Sequence, residues 1–184
     1  MGVIFCAADD VADLLIPFIA ESGGETNAQA IQAAYLDASL GNISADDFWF
    51  RVRVSPELED TYLSRHLLTP GVKEFFCAAD EKRIPVWCLS NDVGRWSNKL
   101  RKNLEIEQSL AGSVISGDIG VRKPDSGIYE KLLELSGYSV EDILFVDDRK
   151  TNVNAARRFG IESIVFRPEA GFPSITERVL NGAL

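Results

Sequence analysis

The sequence predicts an α/β fold: a Rossmann-like parallel sheet with helices on both faces, plus a small helical subdomain. Three observations lead there. Short apolar runs of four or five residues alternate with longer helix-patterned stretches, the order that repeated βα units require. The chain has 184 residues, enough for one domain or one domain carrying a sizeable insertion. The segment 11–69 holds several helical patterns and no buried strand, so it reads as that insertion.

In chain order, Val3–Cys6 is the first expected strand. Val11–Ala20 reads as a helix that ends before Gly23-Gly24, and Thr26–Ala38 as a second with Thr26 or Asn27 as its cap. Ser44-Ala45-Asp46-Asp47 opens a third, with acidic residues favourable in its first turn. Ser55-Pro56-Glu57 opens a fourth, with proline at a first helical position. Pro70-Gly71 starts a helix through Phe75, Phe76 and Ala79, and Pro85–Leu89 is the next strand. A weaker strand covers Ser113–Ser116. Glu130–Leu135 is helical and stops at Gly137. Ile143–Val146 is a strand, Asn152–Phe159 a helix stopped by Gly160, and Ser163–Phe166 the last strand.

Composition narrows the function. Acidic residues outnumber basic ones 28 to 19, a formal charge of −9. That surplus argues against nucleic acid, whose phosphates need Lys and Arg, and against anionic membrane surfaces. No apolar run approaches the ~18 residues of a membrane span, and the first residues lack the zones of a signal peptide. Cys6, Cys77 and Cys88 are too scattered for a disulfide framework or a zinc site. They are expected to be reduced, buried thiols in a cytoplasmic protein. His66, the single histidine, is expected on a helix surface.

In a parallel α/β sheet, ligands bind at the carboxyl ends of the strands. Ser90-Asn91 follows one apolar run and Asp147-Asp148 another, with the basic loop Gly120-Val121-Arg122-Lys123-Pro124 between them. Adjacent carboxylates repel unless a cation intervenes, so Mg²⁺ is a natural partner for Asp147 and Asp148. A phosphate would then lie between that metal, Lys123 and the Ser90 hydroxyl, with Asn91 beside it.

Leu89-Ser90-Asn91, Lys123-Pro124 and Phe145-Val146-Asp147-Asp148, continued by Asn152-Val153-Asn154-Ala155-Ala156, resemble the second, third and fourth motifs of the haloacid dehalogenase-like superfamily. The resemblance covers nearly the whole chain. It implies a core of residues 1–10 and 70–184 and a helical C1-type cap of residues 11–69. It also implies a Mg²⁺-dependent hydrolase of the phosphatase type, with Lys123 in the catalytic site.

The first motif departs from the family pattern. Active members place an Asp directly after the first strand and, in phosphatases, a second Asp two residues on as acid and base. Here those positions align with Cys6 and Ala8. An alanine cannot transfer a proton, and a thiol is a poor ligand for Mg²⁺. The expected protein therefore keeps the fold with impaired catalysis and a weakened metal site, and binds a small phosphorylated molecule or a protein partner. The alternative is a working phosphatase that uses Cys6 as a thiol nucleophile or a shifted Asp9 or Asp10. Those two acids otherwise serve to cap the helix that begins near Val11.

Overall fold

Four of the five apolar runs become strands, each four residues long: β1 Trp87–Ser90, β2 Gly112–Ile115, β3 Leu144–Asp147 and β4 Glu162–Val165. The computed structural model describes residues 2–6, 9–168 and 171–180, with the backbone alone at 174, 178 and 180. β1 pairs in parallel with β2, Trp87 opposite Gly112 and Ser90 opposite Ile115. β3 pairs in parallel with β4, Leu144 opposite Glu162 and Asp147 opposite Val165. Gly112 is required by its neighbour, since a Cβ there would overlap the Trp87 indole.

The first expected strand does not join them. Residues 2–4 form a turn, and Phe5 makes a single antiparallel bridge to Leu68. Thr69 N–H donates to Ile4 O at 2.8 Å and Cys6 N–H to Leu67 O at 2.9 Å. The run meets its demand for burial against the 66–69 loop: Phe5 is buried, its ring edge-on to His66. Among the described residues the sheet is consequently two separate parallel pairs.

Helices cover both faces. A π turn at Val11–Leu15 runs into α1 Ile16–Glu21, followed by α2 Ala28–Ser39, α3 Ala45–Arg51, a 3₁₀ turn Pro56–Leu58 and α4 Glu59–Leu63. Their starts are encoded locally. Asn27 Oδ1 accepts from the Gln29 amide at 2.9 Å. Ser44 Oγ accepts from Asp47 N–H at 3.0 Å while the Asp47 carboxylate accepts from Ser44 N–H, a reciprocal capping box. Asp9 Oδ1 accepts from the Val11 and Ala12 amides, each at 3.2 Å.

α5 Val72–Glu81, α6 Gly94–Asn103, α7 Ser116–Ile119, α8 Ser126–Ser136, α9 Lys150–Phe159 and α10 Gly171–Leu180 are the remaining helices among the described residues. Strand side chains alternate between two hydrophobic clusters, as the period of two requires. Val86, Val146 and Ile164 pack with the helices that carry Phe75, Phe76 and Phe172. Trp87, Leu89, Ile143 and Phe145 pack with those that carry Leu132 and Ala156. The first cluster is continuous with the inserted helices: Phe18, Phe48, Trp49 and Tyr62 form one aromatic group with Trp96 of α6. Glu59 anchors that group, accepting from the indoles of Trp49 at 3.0 Å and Trp96 at 2.7 Å and from Arg95.

Two expectations are corrected here. His66 is buried in the turn after α4, where its Nδ1 lies 3.2 Å from Leu63 O and its ring meets Tyr62 and Phe5 edge-on. Burial pushes its pKa down. The cysteines are not uniformly buried: Cys6 and Cys77 are exposed and Cys88 is half-buried, because Cys6 leaves the core with the turn and Cys77 falls on the outer face of α5. Among the described residues no helix is long and apolar enough to cross a membrane.

Candidate active site

The ends of β1 and β3 carry Ser90-Asn91 and Asp147-Asp148, and the loop between α7 and α8 brings Lys123 between them. Asn91 sets that loop. Its Oδ1 accepts from Lys123 N–H at 2.8 Å and its Nδ2 donates to Lys123 O at 2.8 Å, a two-point clamp on the backbone of one residue. Held so, the Lys123 ammonium donates to Asp147 Oδ2 at 2.8 Å and to Leu89 O. The pair is buried, with side-chain exposures of 7% and 4%.

Asp147 has every reason to stay ionised. Burial alone would raise its pKa, but Lys123, the Arg149 amide and the Asn152 carboxamide outweigh it and hold the carboxyl below the usual range. Oδ1 accepts from Arg149 N–H at 2.8 Å and from Asn152 Nδ2 at 2.9 Å. Asn152 is steadied in turn, its carbonyl accepting from the Tyr129 hydroxyl at 2.9 Å. Charge-assisted bonds of this kind are the strong ones, and burial strengthens them.

A cavity of about 350 Å³ opens between β1 and β3. Ser90, Lys123, Asp147 and Asp148 line one end, and its walls are chiefly apolar. The turn at residue 2 closes on Asp148: a Cβ on Gly2 would overlap the Asp148 carboxylate. Four of the expected residues therefore share one rim, while Asn91 acts one step back by fixing Lys123.

Cys6 is elsewhere. Its thiol donates to Leu68 O at 3.2 Å and faces a smaller cavity with Asp13, Arg65 and His66. Neither Ser90, Lys123 nor Asp148 lines that second cavity. Ala8 lies outside the described residues. Asp9 is used as a helix cap and reaches Arg149 at 3.4 Å, whereas Asp10 turns inward and is buried.

Three residues beside the strand ends were not singled out as site residues from the sequence. Arg149 and Asn152 support Asp147, and only their spacing of two and five residues after it signalled that. Asp92, two residues after Ser90, is buried near Asp10, and burial together with that second carboxylate pushes it up to about 7. An acid directly behind a strand-end Ser-Asn pair was the available clue.

The donors do not fit Mg²⁺ as they stand. A magnesium site needs near-octahedral oxygen ligands. Asp147 has both oxygens engaged, with a lysine in the place a cation would take, and that leaves Asp148. Among the described residues no three His, Cys, Asp or Glu side chains come together.

A model of the haloacid dehalogenase-like hydrolase family matches residues 17–160. The chain belongs to that family. Similarity to individual haloacid dehalogenase-like proteins is more distant. A phosphorylated carbohydrates phosphatase of Thermotoga maritima is 28% identical over 115 residues, 62% of this chain and 53% of that protein. A flavin mononucleotide hydrolase of Arabidopsis thaliana is 32% identical over 71 residues, 39% of this chain and 29% of its own. The matches thus span about half the length, or less, of these curated relatives.

Among solved structures, a haloacid dehalogenase-like enzyme of Bacteroides thetaiotaomicron, in complex with magnesium and inorganic phosphate, superposes with a TM-score of 0.76 at 19% identity, covering 91% of each chain. The L-2-haloacid dehalogenase of Xanthobacter autotrophicus gives 0.62 at 20% identity, over 99% of this chain and 80% of that one. Likeness at this identity establishes the shared α/β fold.

Proposed function

We propose that this haloacid dehalogenase-like chain is a phosphatase-type protein with impaired catalysis, which binds a small phosphorylated molecule at the Ser90–Lys123–Asp148 rim. The observation that carries this reading is the separation of the thiol from the rim. Cys6, aligned with the family's nucleophile, points to a different cavity and has a backbone carbonyl as its polar partner. Lys123, by contrast, is fixed by Asn91 at the meeting of two strand ends, where an ammonium and a hydroxyl face the cavity. Such groups bind and orient a phosphate by charge-assisted hydrogen bonds. Without a positioned nucleophile they do not turn it over.

Magnesium enters only as a property to be measured. In the Bacteroides relative it accompanies phosphate; here the first-motif carboxylate has no counterpart at Cys6 or Ala8, so a Mg²⁺ site would be weak. The bound molecule's identity rests with the apolar walls, and residues 11–69 are proposed as the cap over the core of 1–10 and 70–184. A cytoplasmic setting is part of the same proposal.

The test is hydrolysis of an aryl phosphate with Mg²⁺ by the parent chain and Cys6→Ala. The expected result is a background rate that Cys6→Ala leaves unchanged. Turnover well above background that disappears in Cys6→Ala would make the protein a thiol hydrolase and overturn the reading.

A further inference from the structure

We propose that Arg122 receives a carboxylate of the phosphorylated molecule held at the rim, so that the ligand is a short phosphorylated carboxylic acid. Phosphate binding at Ser90, Lys123 and Asp148 is the premise, and Arg122 adds a polar determinant to it. The guanidinium has a buried Nη1 with no hydrogen-bond partner, and no other arginine among the described residues has such an atom. Arg83, Arg158 and Arg167 stand exposed, where water serves them. A buried donor left without an acceptor is costly, and more so when it is charged. The chain carries a formal charge of −9, yet none of its described carboxylates accepts from this nitrogen.

The guanidinium belongs to the same assembly as the rim. It lies over the ring of Tyr35 in α2, 5.7 Å from the ring centre. A cation–π contact engages the charge and leaves the N–H donors free. Tyr35 is buried and stacked on Trp96, and its hydroxyl donates to Asn91 O at 3.4 Å. The side chain of Asn91 in turn clamps Lys123. The seam between α2 and α7 is tight: Ser116 Oγ donates to Ser39 O at 2.6 Å, and a Cβ on Gly41 would overlap Gly117 O. Arg122 is therefore pre-placed, which keeps the cost of ordering it on binding small. Asp10 and Asp92 act on the same Tyr35 ring, and neither is a hydrogen-bond partner of Nη1.

Charge and distance set the ligand class. Lys123 already answers Asp147. A second phosphate would bring up to two further negative charges to one guanidinium in an acidic chain. A carboxylate brings one, and its two oxygens match the guanidinium fork. The Lys123 ammonium bonds Leu89 O and the Tyr35 hydroxyl bonds Asn91 O, carbonyls roughly 7 Å apart at strand spacing. A phosphate and a carboxylate joined by a short carbon chain suit that span. Arg122 does not line the cavity between β1 and β3, so this arm of the ligand crosses Asn91 toward the inserted helices.

Calorimetric titration of the full chain with inorganic phosphate, glycerol 3-phosphate and 3-phosphoglycerate tests the assignment. The two esters differ by a carboxylate in place of a hydroxymethyl group. The parent should bind the acid at least about tenfold more tightly than the alcohol, the gain expected of a charge-assisted hydrogen bond. The Arg122 and Tyr35 amide resonances should move with the acid and not with the alcohol. Arg122→Gln should abolish the preference between the esters. Phosphate that binds at the rim with no preference between the esters would overturn the role of Arg122 alone, as would a preference that survives Arg122→Gln. Failure of all three probes to bind would overturn the phosphate reading itself, and the role of Arg122 with it.

Discussion

Lys123→Met tests the electrostatic centre of the site. The substitution keeps most of the side chain's volume and removes the charge that faces Asp147 at 2.8 Å. Removing one partner of a buried pair typically costs about 3–5 kcal/mol, because the other charge stays buried without compensation. Asp147 keeps two further donors, the Arg149 amide and the Asn152 carboxamide, which places the expectation at the lower end, about 3 kcal/mol. For a chain of this size that is a fall in Tm of roughly 6–12 °C. Urea denaturation at pH 7 of the parent, Lys123→Met, Asp147→Asn and the double variant measures it. The double variant should be more stable than the sum of the single losses predicts, since it strands no charge. The pH profile supplies a second readout. A carboxyl held below its usual pKa contributes stability that is present above the unfolded value, ~3.9, and is lost as pH falls through the folded one. Lys123→Met removes the group that holds Asp147 down, so its deficit should shrink on acidification toward pH 4. A Lys123→Met protein within about 0.5 kcal/mol of the parent, or strictly additive single changes, would refute the reasoning.

Other expectations follow from the same structure. Glu59→Leu strands the Trp49 and Trp96 indole donors and Arg95, and should cost about 3 kcal/mol by thermal unfolding. Asp92, whose pKa is raised to about 7 by burial and by Asp10, keeps its proton in the folded state after the unfolded chain has lost it. Stability should therefore fall as pH rises from the ordinary carboxylate range toward neutrality, and Asp92→Asn should flatten that slope in denaturant melts. Asn91→Ala removes both bonds that fix Lys123 and should lower stability by about 2 kcal/mol, with phosphate binding weakened in parallel by calorimetry. Calorimetric titration with Mg²⁺ should show weak binding, with dissociation constants in the millimolar range or above; micromolar binding would mean a third carboxylate reaches Asp148.

Much of this was legible in sequence because it is written in local chemistry. Asn27, Ser44 and Asp9 cap the helices they precede, and the strand-end residues Ser90, Asp147 and Asp148 meet Lys123 as strand order dictates. What failed was non-local. Val3-Ile4-Phe5-Cys6 has the composition of a central strand, but whether an apolar run pairs depends on what else competes for it, and the 66–69 loop holds its backbone. The same event moved Cys6 out of reach of the rim. His66 was misread for a related reason: nothing in Arg65-His66-Leu67 shows that the helix ends at Leu63 and turns the ring inward. The Asp10–Asp92 association joins residues far apart in sequence, and no spacing rule anticipates it.

The most direct test of the central claim is an amide chemical-shift titration of the full chain with inorganic phosphate, repeated on Cys6→Ala. Saturable shifts should concentrate at Ser90, Asn91, Lys123 and the Asp148–Arg149 turn, and be the same in both proteins. Shifts that gather instead around Cys6, Arg65 and His66, or that vanish in Cys6→Ala, would contradict it.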